Sequence, residues 1–365
     1  MSKDEQIDNA NSAIKLEDIA RKLGTSVSTI SRALNERPGV SVALRQRIQD
    51  LARASGYQPA RGRRSGSQTV GFAVTADHAA TADPFYPRIL WSLEARLAGA
   101  GYHVLLVRLS DQAENRLARV VGEGRVDALV VAGPDIDPTH IRLARSLGVP
   151  VVLVDNWLRG SGTDAVLSDN RGGMQEATEH LLEVHGLTRL AYVGGPLRWP
   201  SNLDRYLGFR SALEQAGVAP VAVAHEPATE VDTGVQAGRR VLASRDRPQG
   251  IVAANDAMAL GVMLAAQELG LEIPRDLSVV GYDDVPAAAL ARPGLTSVHV
   301  DLEALGTMAG QWILNRLRDP GPPPVRAEVS VELVVRQSCG CSAEGGVGEE
   351  TVGHPPEVKE NLEGG

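Results

Sequence analysis

The chain has 365 residues, of which 43% are hydrophobic and only 4% aromatic, and its formal net charge at pH 7 is -8. This length fits one small and one larger domain, and the apolar content is sufficient for a sizeable core. No apolar run approaches the length of a membrane span, and the polar N-terminus has no apolar signal core, so we expect a cytoplasmic protein without a membrane partner.

The charge is unevenly distributed along the chain. Residues 13–68 contain 11 Lys and Arg against 4 Asp and Glu, a balance of +7, so the remaining residues carry -15. The basic end has the sign that a polyphosphate attracts, and the acidic remainder is repelled by it. We therefore expect nucleic acid to bind at the N-terminal end.

Residues 16–51 predict three short helices that must pack on one another to bury any surface. The first has an apolar stripe at helical spacing, formed by Leu16, Ile19, Ala20 and Leu23. Gly24 ends this helix, and Ser26 is suited to cap a second one with the apolar residues Val27, Ile30 and Leu34. Ser41 is suited to cap the third. The prediction is a compact trihelical domain.

The corner between the first two helices is typical of a helix-turn-helix. A tight crossing needs a small residue, a turn residue free to adopt positive φ and a branched apolar anchor, which are supplied by Ala20, Gly24 and Ile30. The side chains projected outward from the second helix are Val27, Ser28, Thr29 and Arg32. Side chains of this size fit a DNA major groove. The alternative is a structural three-helix unit with a solvated polar face.

A segment rich in Arg, Gly and Ser follows these helices. We divide the N-terminal region into a helix-turn-helix domain over residues 14–58 and a basic hinge or linker over residues 59–68. The arginines of this linker, which could bind phosphates or a minor groove, are Arg61, Arg63 and Arg64. We expect residues 1–13 and 342–365 to be disordered tails.

From Thr69 onward, short β-branched runs alternate with amphipathic helical stretches. The runs are TVGFAVT, HVLLVR, ALVVA, VVLVD, AVLS, LAYVG, VAVA, GIVAA and SVVGY, with SVHV (297–300) and EVSVELVVR (328–336) as further candidates. This alternation predicts parallel sheets covered by helices on both faces. Nine strands in one open sheet would be unusual, so we expect two doubly wound α/β subdomains with four or five strands each.

The sequence lacks the motifs of common α/β enzymes. It contains no GxxxxGK[ST], GxSxG or HExxH, and its eight His residues are scattered. The only cysteines, Cys339 and Cys341, form a CxC pair, which is a weak metal or redox signal without a second pair or clustered histidines. We therefore expect no catalytic residue, no metal and no cofactor, and a core that binds rather than reacts.

Polar and aromatic residues follow the strands at the edge where the loops of a parallel sheet converge. Those expected to bind a small molecule are Asp77, Phe85, Tyr86, Asp155, Trp199, Ser201, Arg205, Asn255, Asp256 and Asp283. Carboxylates and amides beside an aromatic face suit a polyhydroxylated ligand. Each residue alone has another explanation, since Asp and Asn after a strand cap the next helix and aromatic side chains fill cores. Their convergence on one crevice favours binding.

With these elements, the chain closely resembles the lac and galactose repressor family of bacterial transcription regulators, over residues 14 to about 338. The segments that carry the resemblance are IARKLGTSVSTISRALN, RPGVSVALRQRIQDLARASGYQP, NDAMALG (255–261) and IPRDLSVVGYDD (273–284). It implies a core similar to periplasmic sugar-binding proteins. It also implies homodimers on two-fold symmetric operator DNA, with a small effector in the cleft that changes DNA binding.

The resemblance also implies residue roles and boundaries. The recognition positions in the major groove are Ser26, Val27, Ser28 and Arg32, with Thr29 and Asn35 near phosphates. Arg205 and Asp283 match effector contacts of the family. Three crossovers would join one subdomain at 69–165 plus 296–325 to another at 166–295 plus 326–341. The strand SVHV would then rejoin the first sheet, and the last strand the second.

The sequence departs from the family at two places. Its linker contains no leucine and is shorter than the family's hinge helix, whose leucine wedges into the minor groove, so Arg61, Arg63 and Arg64 are candidates to replace that wedge. Trp199 stands where the purine-responsive member has an arginine, and its indole could lie flat on the apolar face of a sugar ring.

These observations predict a DNA-binding transcription regulator that acts as a repressor and has a mono- or oligosaccharide effector. One alternative is a nucleobase or nucleoside co-repressor in the same architecture. Another is a helix-turn-helix domain fused to a catalytic α/β core, which the missing motifs disfavour.

Overall fold

The computed structural model describes residues 16–34, 40–54, 66–75, 85–109, 113–319 and 321–341. The chain forms two units that divide between Gly66 and Ser67, and each is described by itself. The expected tails and residues 59–65 of the linker lie outside the described residues. In the part of the chain that the structure describes, no helix is both long and apolar enough to cross a membrane.

The N-terminal unit contains the three predicted helices, α1 (Leu16–Leu23), α2 (Val27–Leu34) and α3 (Val42–Ala54). Gly24 adopts the expected positive φ, at 59°. The Ser26 Oγ accepts a hydrogen bond from the Thr29 backbone N–H at 3.1 Å, and the Ser41 Oγ accepts one from the Leu44 N–H at 3.4 Å, so both predicted serines cap their helices. The core of this unit contains Ile19, Ala20, Ile30, Ala33, Ile48 and Ala52.

Val27 lies outside that core. Its side chain is 38% exposed, whereas Ile30 is fully buried. Val27 therefore belongs to the outward face of α2, and its assignment to the apolar face of the helix is wrong. The first position of a helix is poorly covered by its neighbours, which explains the exposure.

The second unit contains two six-stranded sheets. Its strands are β1 (Thr69–Thr75), β2 (His103–Leu109), β3 (Ala128–Ala132), β4 (Val151–Val154), β5 (Asp164–Ser168), β6 (Leu190–Gly194), β7 (Ala222–His225), β8 (Gly250–Ala253), β9 (Ser278–Asp283), β10 (Thr296–Val300), β11 (Arg326–Val329) and β12 (Val331–Val334). The first sheet has the order β11-β5-β4-β3-β1-β2, and the second has the order β12-β10-β9-β8-β6-β7. All neighbours are parallel except β10 and β12, which are antiparallel.

Helices connect these strands as predicted for an α/β core. They are α4 (Phe85–Ala98), α5 (Ala113–Gly122), α6 (Pro138–Ser146), α7 (Asn170–Glu179), α8 (Pro200–Gln215), α9 (Val231–Leu242), α10 (Asp256–Glu268), α11 (Pro286–Leu290) and α12 (Leu302–Arg318). A π-helical turn (His180–Val184) continues α7, and a 3-10 turn (Gln337–Cys339) follows β12.

The crossovers differ from the expected boundaries. The strand SVHV lies in β10, which pairs with β9 in the second sheet, so its predicted return to the first sheet is wrong. The chain crosses only after Val300, where the Asp301 side chain caps α12 by accepting a hydrogen bond from the Ala304 N–H at 2.8 Å. Because β10 is short and follows β9 closely in the chain, the adjacent parallel position beside β9 is within immediate reach.

The last predicted strand is two strands. β11 pairs with β5 in the first sheet, and β12 pairs with β10 in the second, so the third crossover lies at Ser330 rather than near residue 325. Each sheet thereby gains an edge strand and reaches six strands instead of four or five.

Helix α12 belongs to the first subdomain although it follows a strand of the second. It packs against α4, and a Cβ atom placed at Gly306 would collide with the backbone oxygen of Ile89 and the Ser92 hydroxyl. Glycine at this position therefore allows the two helices to approach closely. Asp155 directly follows β4 and Asp283 ends β9, so these two predicted binding residues lie at the carboxyl ends of parallel strands.

Candidate functional site

The first candidate site is the outward face of α2. Val27 and Ser26 are exposed, and the hydroxyls of Ser26 and Thr29 lie 2.9 Å apart. Ser28 and Arg32 lie on the same helix. Asn35, Arg61, Arg63 and Arg64 are outside the described residues. The structure thus presents small polar groups beside a valine on one short helix, a surface of the size that a major groove admits.

The second candidate site is the crevice of the core, and its first wall comes from the subdomain of β1 to β5. Tyr86, in the first turn of α4, donates a hydrogen bond from its hydroxyl to Asp155 Oδ2 at 2.7 Å. Phe85 packs edge-on against Tyr86, with ring centroids 5.1 Å apart. Asp77 is outside the described residues. This wall therefore combines a buried carboxylate with two aromatic rings.

The second wall is built around Arg205 of α8, which is almost fully buried. Its guanidinium donates to Asn170 Oδ1 at 2.7 Å, to the backbone oxygen of Ala254 at 2.7 Å and to Asp283 Oδ1 at 2.9 Å. It also lies over the Tyr282 ring, 3.7 Å from the centroid. Four partners thus hold one cation in a single orientation.

Electrostatic effects link the two walls. Burial is the main cause that raises the pKa of Tyr86, and the charge of Asp155 and, more weakly, that of Asp283 add to it. Burial disfavours the charged form of Arg205 and so lowers its pKa, but electrostatic interactions with Asp283, Tyr282 and Asp155 raise the pKa above the usual value. The charges of Asp155 and Asp283 thus act on groups of both walls, which indicates that the two walls lie near one another.

Backbone strain marks the same edge. Asp155, Asp283 and Asp284 have positive φ values of 54°, 102° and 48°. Residues other than glycine rarely adopt these values, and they persist where surrounding contacts impose them, often at binding sites. The strain therefore fits the assignment of this strand edge as a site.

Two predicted residues have their polar atoms engaged within the protein. Both carboxylate oxygens of the fully buried Asp256 accept hydrogen bonds, Oδ1 from the Ser297 hydroxyl at 2.6 Å and Oδ2 from the Val285 N–H at 2.8 Å. Asn255 caps α10 through the Met258 N–H at 3.0 Å and donates to the Thr229 oxygen at 3.0 Å. These hydrogen bonds hold both side chains in place, and their contact with an effector stays a prediction.

The remaining predicted residues lie at the start of α8. Trp199 is half-buried immediately before the helix, and Ser201 is buried in its first turn. Asn202 belongs to the same loop of candidate residues, and its Nδ2 is buried without a hydrogen-bond partner among the described residues. Asn170 and Tyr282, which orient Arg205, were missed. A buried amide without a partner is costly, so Asn202 is a further candidate contact.

The burial of Asp256 gives a testable pH dependence. Burial, together with the nearby charge of Asp283, raises the pKa of Asp256 well above its ordinary value of 3.8, despite its two hydrogen bonds. The folded chain therefore binds this proton more tightly than the unfolded chain, and the contribution of Asp256 to stability is lost as pH rises from 3.8 through the raised pKa. Asparagine does not titrate, so the variant Asp256→Asn does not lose this stability as pH rises. The unfolding free energy of the variant minus that of the wild type should therefore increase with pH.

Urea unfolding at a series of pH values, from about 4 to about 8, measures this difference. Asp276→Asn is the matched control, because the hydrogen bond from Arg275 lowers the pKa of Asp276 from 3.8, so its titration lies below this pH range and its relative stability should change little. Parallel pH profiles for the wild type and Asp256→Asn would contradict the prediction.

Known proteins resemble the chain over both units. Residues 15–60 match the model for bacterial regulatory proteins of the lacI family, and residues 178–339 match a periplasmic binding protein-like domain. The ribose operon repressor of Escherichia coli K12 is 31% identical over 334 residues, which cover 88% of this chain and 99% of that protein. The chain belongs to the LacI family. The predicted resemblance is thereby confirmed.

Other similar proteins are also LacI-type regulators. The repressor PurR of Vibrio vulnificus is 28% identical over 88% of this chain and 98% of its own length. A structure of the transcriptional regulator CelR with cellobiose has a TM-score of 0.70 and 29% identity, and covers 89% of this chain and 99% of that one. The lac repressor dimer bound to operator and the anti-inducer ONPF has a TM-score of 0.67 and 25% identity, and covers 90% of this chain and 99% of that one.

The family membership fixes the general activity. This LacI-family chain is a DNA-binding transcriptional repressor and not an enzyme, as the sequence predicted.

Proposed function

We propose that this repressor binds a two-fold symmetric operator as a homodimer and that an uncharged saccharide in the cleft controls its binding to DNA. The observation that carries the proposal is the pair of buried polar groups at this edge, in which Arg205 donates to the Asp283 carboxylate and Tyr86 donates to Asp155. Neighbouring donors and acceptors of this kind bind adjacent hydroxyl groups of a sugar.

The charge of the cleft favours an uncharged ligand. Among the described groups, Asp155 and Asp283 outweigh the single positive charge of Arg205, which Asp283 contacts at 2.9 Å. An anionic ligand would meet net repulsion in a site of low dielectric. The hydroxyl groups of a neutral polyol instead accept hydrogen bonds from the guanidinium and donate hydrogen bonds to the carboxylates.

The names of relatives support the same ligand class. One relative is the ribose operon repressor, and a similar structure holds cellobiose. Asp155 and the aromatic pair Phe85 and Tyr86 provide the polar and apolar contacts that a sugar ring needs. A nucleobase co-repressor is the second candidate, because PurR relatives match the chain at 28% identity.

Calorimetry of the full chain separates these ligands. One panel contains pentoses, hexoses and disaccharides, and the other contains purine bases and nucleosides. We expect a saccharide to bind and to weaken operator binding. A purine that binds and strengthens operator binding, or the absence of heat with every saccharide, would contradict the proposal.

Trp199 is the residue that we expect to stack on the sugar. The variant Trp199→Ala should bind the saccharide roughly tenfold more weakly, because the indole covers the apolar face of the ring. Trp91→Ala is the control, since Trp91 is exposed on α4. Wild-type affinity in Trp199→Ala would eliminate the stacking contact.

Assembly and operator symmetry are tested together. Light scattering should give a mass twice that of the 38.7 kDa chain for the free protein, and the same protein mass plus that of one operator duplex for the complex. Sites selected from random DNA should be palindromic, because a two-fold dimer places two copies of α2 on matching half-sites. A monomer on an asymmetric site would contradict this part of the proposal.

A further inference from the structure

Four side chains of types that commonly bind metals lie together in the second subdomain, and they are separate from Arg205 and its partners. They are His180, His185, Cys339 and Cys341, and their ligand atoms all lie within 4.8 Å of one another. The two histidines and the two cysteines are separated by more than 150 positions in the chain. No other group of three or more His, Cys, Asp or Glu side chains in the described residues meets in this way.

The distances within this group match a tetrahedral ion. His180 Nε2 lies 3.2 Å from His185 Nε2 and 3.4 Å from Cys339 Sγ. Cys341 Sγ lies 3.7 Å from His180 Nε2 and 3.5 Å from His185 Nε2. A tetrahedral zinc ion, with bonds of about 2.0 Å to nitrogen and about 2.3 Å to sulfur, separates two nitrogens by about 3.3 Å and a nitrogen from a sulfur by about 3.5 Å.

The π-helical turn brings the two histidines together. His180 begins this turn, and His185 follows its last residue. In a π-helix the hydrogen bonds join residues five apart, so His180 and His185 lie on the same side of the axis, whereas an α-helix would separate them. π-helical turns are rare in proteins, and those that occur are often at functional sites. Their presence here distinguishes this pair from two histidines on an ordinary helix surface.

The CGC segment brings the two cysteines to the same place. Gly340 has a φ of 113°, and a Cβ atom at this position would lie 3.3 Å from the His185 ring. Contacts away from the sulfur atoms hold the segment, since the Cys339 backbone oxygen accepts from the Ser278 hydroxyl at 2.9 Å and the Ser338 hydroxyl donates to Val279 O at 2.6 Å. The fold therefore positions the thiols without help from a ligand.

We propose that His180, His185, Cys339 and Cys341 bind one Zn²⁺ ion in a structural site. Two imidazoles and two thiols are the donor set of closed, tetrahedral zinc sites, and four protein ligands leave no position for substrate. The two Nε2 atoms face each other, so hydrogen bonding can place at most one proton between them. A cation instead uses the lone pairs of all four ligand atoms.

The ion would attach the end of the core to the rest of the second subdomain. The CGC segment begins three residues after Arg336, which donates to Asp284 Oδ1 at 2.7 Å and to Leu295 O at 2.7 Å. Asp284 adjoins the cleft residue Asp283. A zinc ion that links the CGC segment to the π-helical turn thus stabilises the support of the β9 loop.

Metal analysis of the full chain tests the proposal. The tag-free protein, purified with a thiol reductant and dialysed against zinc and then metal-free buffer, should contain one zinc ion per chain by mass spectrometry. Cobalt substitution should give the intense visible absorption of a tetrahedral ion and a thiolate charge-transfer band. Cys341→Ser and His185→Gln should each lose the zinc, and His103→Gln, which changes an exposed histidine of β2, should retain it.

Thermal unfolding provides a second measurement that does not depend on DNA or effector binding. Removal of zinc by a chelator should lower the unfolding midpoint of the wild type by roughly 5 °C or more, and the midpoint of Cys341→Ser should not respond. Zinc retained by both ligand variants, a zinc content near zero in the wild type, or an octahedral cobalt spectrum would overturn the proposal. A Cys339–Cys341 disulfide that persists in reductant would also overturn it.

Discussion

Replacement of Arg205 by Ala should lower the unfolding free energy by about 3–5 kcal/mol and abolish binding of the effector. The Arg205 and Asp283 side chains are only 6% and 9% exposed, so the variant leaves the Asp283 carboxylate buried without its cation. It also removes the donor to Asn170 and Ala254. Urea unfolding and calorimetry with the saccharide panel measure the two effects.

An exposed ion pair provides the control for this variant. Arg239 contacts Glu268 at 2.7 Å, but their side chains are 56% and 48% exposed, so Arg239→Ala should change stability little. The double variant Arg205→Met with Asp283→Asn should recover part of the lost stability, because no unpaired charge remains and asparagine tolerates the positive φ of this position. Equal costs for Arg205→Ala and Arg239→Ala would show that burial does not determine the effect.

Replacement of Arg61, Arg63 and Arg64 by Ala should weaken operator binding and flatten its salt dependence. These residues lie outside the described part of the chain, so the prediction follows from the charge and position of the linker. Each phosphate contact contributes about 0.9 to the slope of log K against log salt, so the slope should fall by up to about 3 per protomer. Fluorescence anisotropy with operator DNA at several salt concentrations measures the slope.

A second triple variant controls for net charge. Arg119, Arg239 and Arg275 are exposed on the core and pair with Glu123, Glu268 and Glu272. Their replacement by Ala removes the same charge and should leave the slope unchanged. If both triple variants flatten the slope equally, the linker arginines act through net charge and not through contacts with DNA.

The local patterns of the sequence predicted most elements of the fold. Helical spacing and capping serines predicted α1 to α3, and the alternation of apolar runs with helices predicted the parallel sheets. The assignment of β10 to the first sheet was wrong, because the sequence of a short apolar strand does not indicate which of the two sheets it joins. The predicted number of strands per sheet was also wrong, because β11 and β12 each add an edge strand to a different sheet.

The candidate site was partly predictable. Four residues that the sequence analysis predicted to bind form two buried hydrogen-bonded pairs, Arg205 with Asp283 and Tyr86 with Asp155. Their other hydrogen-bond partners were not predicted, since Asn170 resembles an ordinary helix-capping residue in the sequence. Asp256 was expected to face the ligand, but the sequence contains no sign that Ser297 and Val285 occupy its oxygens.

The sequence by itself therefore determined the helix-turn-helix, the tandem α/β core and the family, because each depends on patterns within some tens of residues. Only the tertiary structure decided the crossovers, the enclosure of Arg205 and the meeting of His180 and His185 with the CGC segment. These features depend on contacts between residues far apart in the chain, whose pairing is set by packing of the whole core. A CxC pair and two histidines are separate weak signals until the fold brings them together.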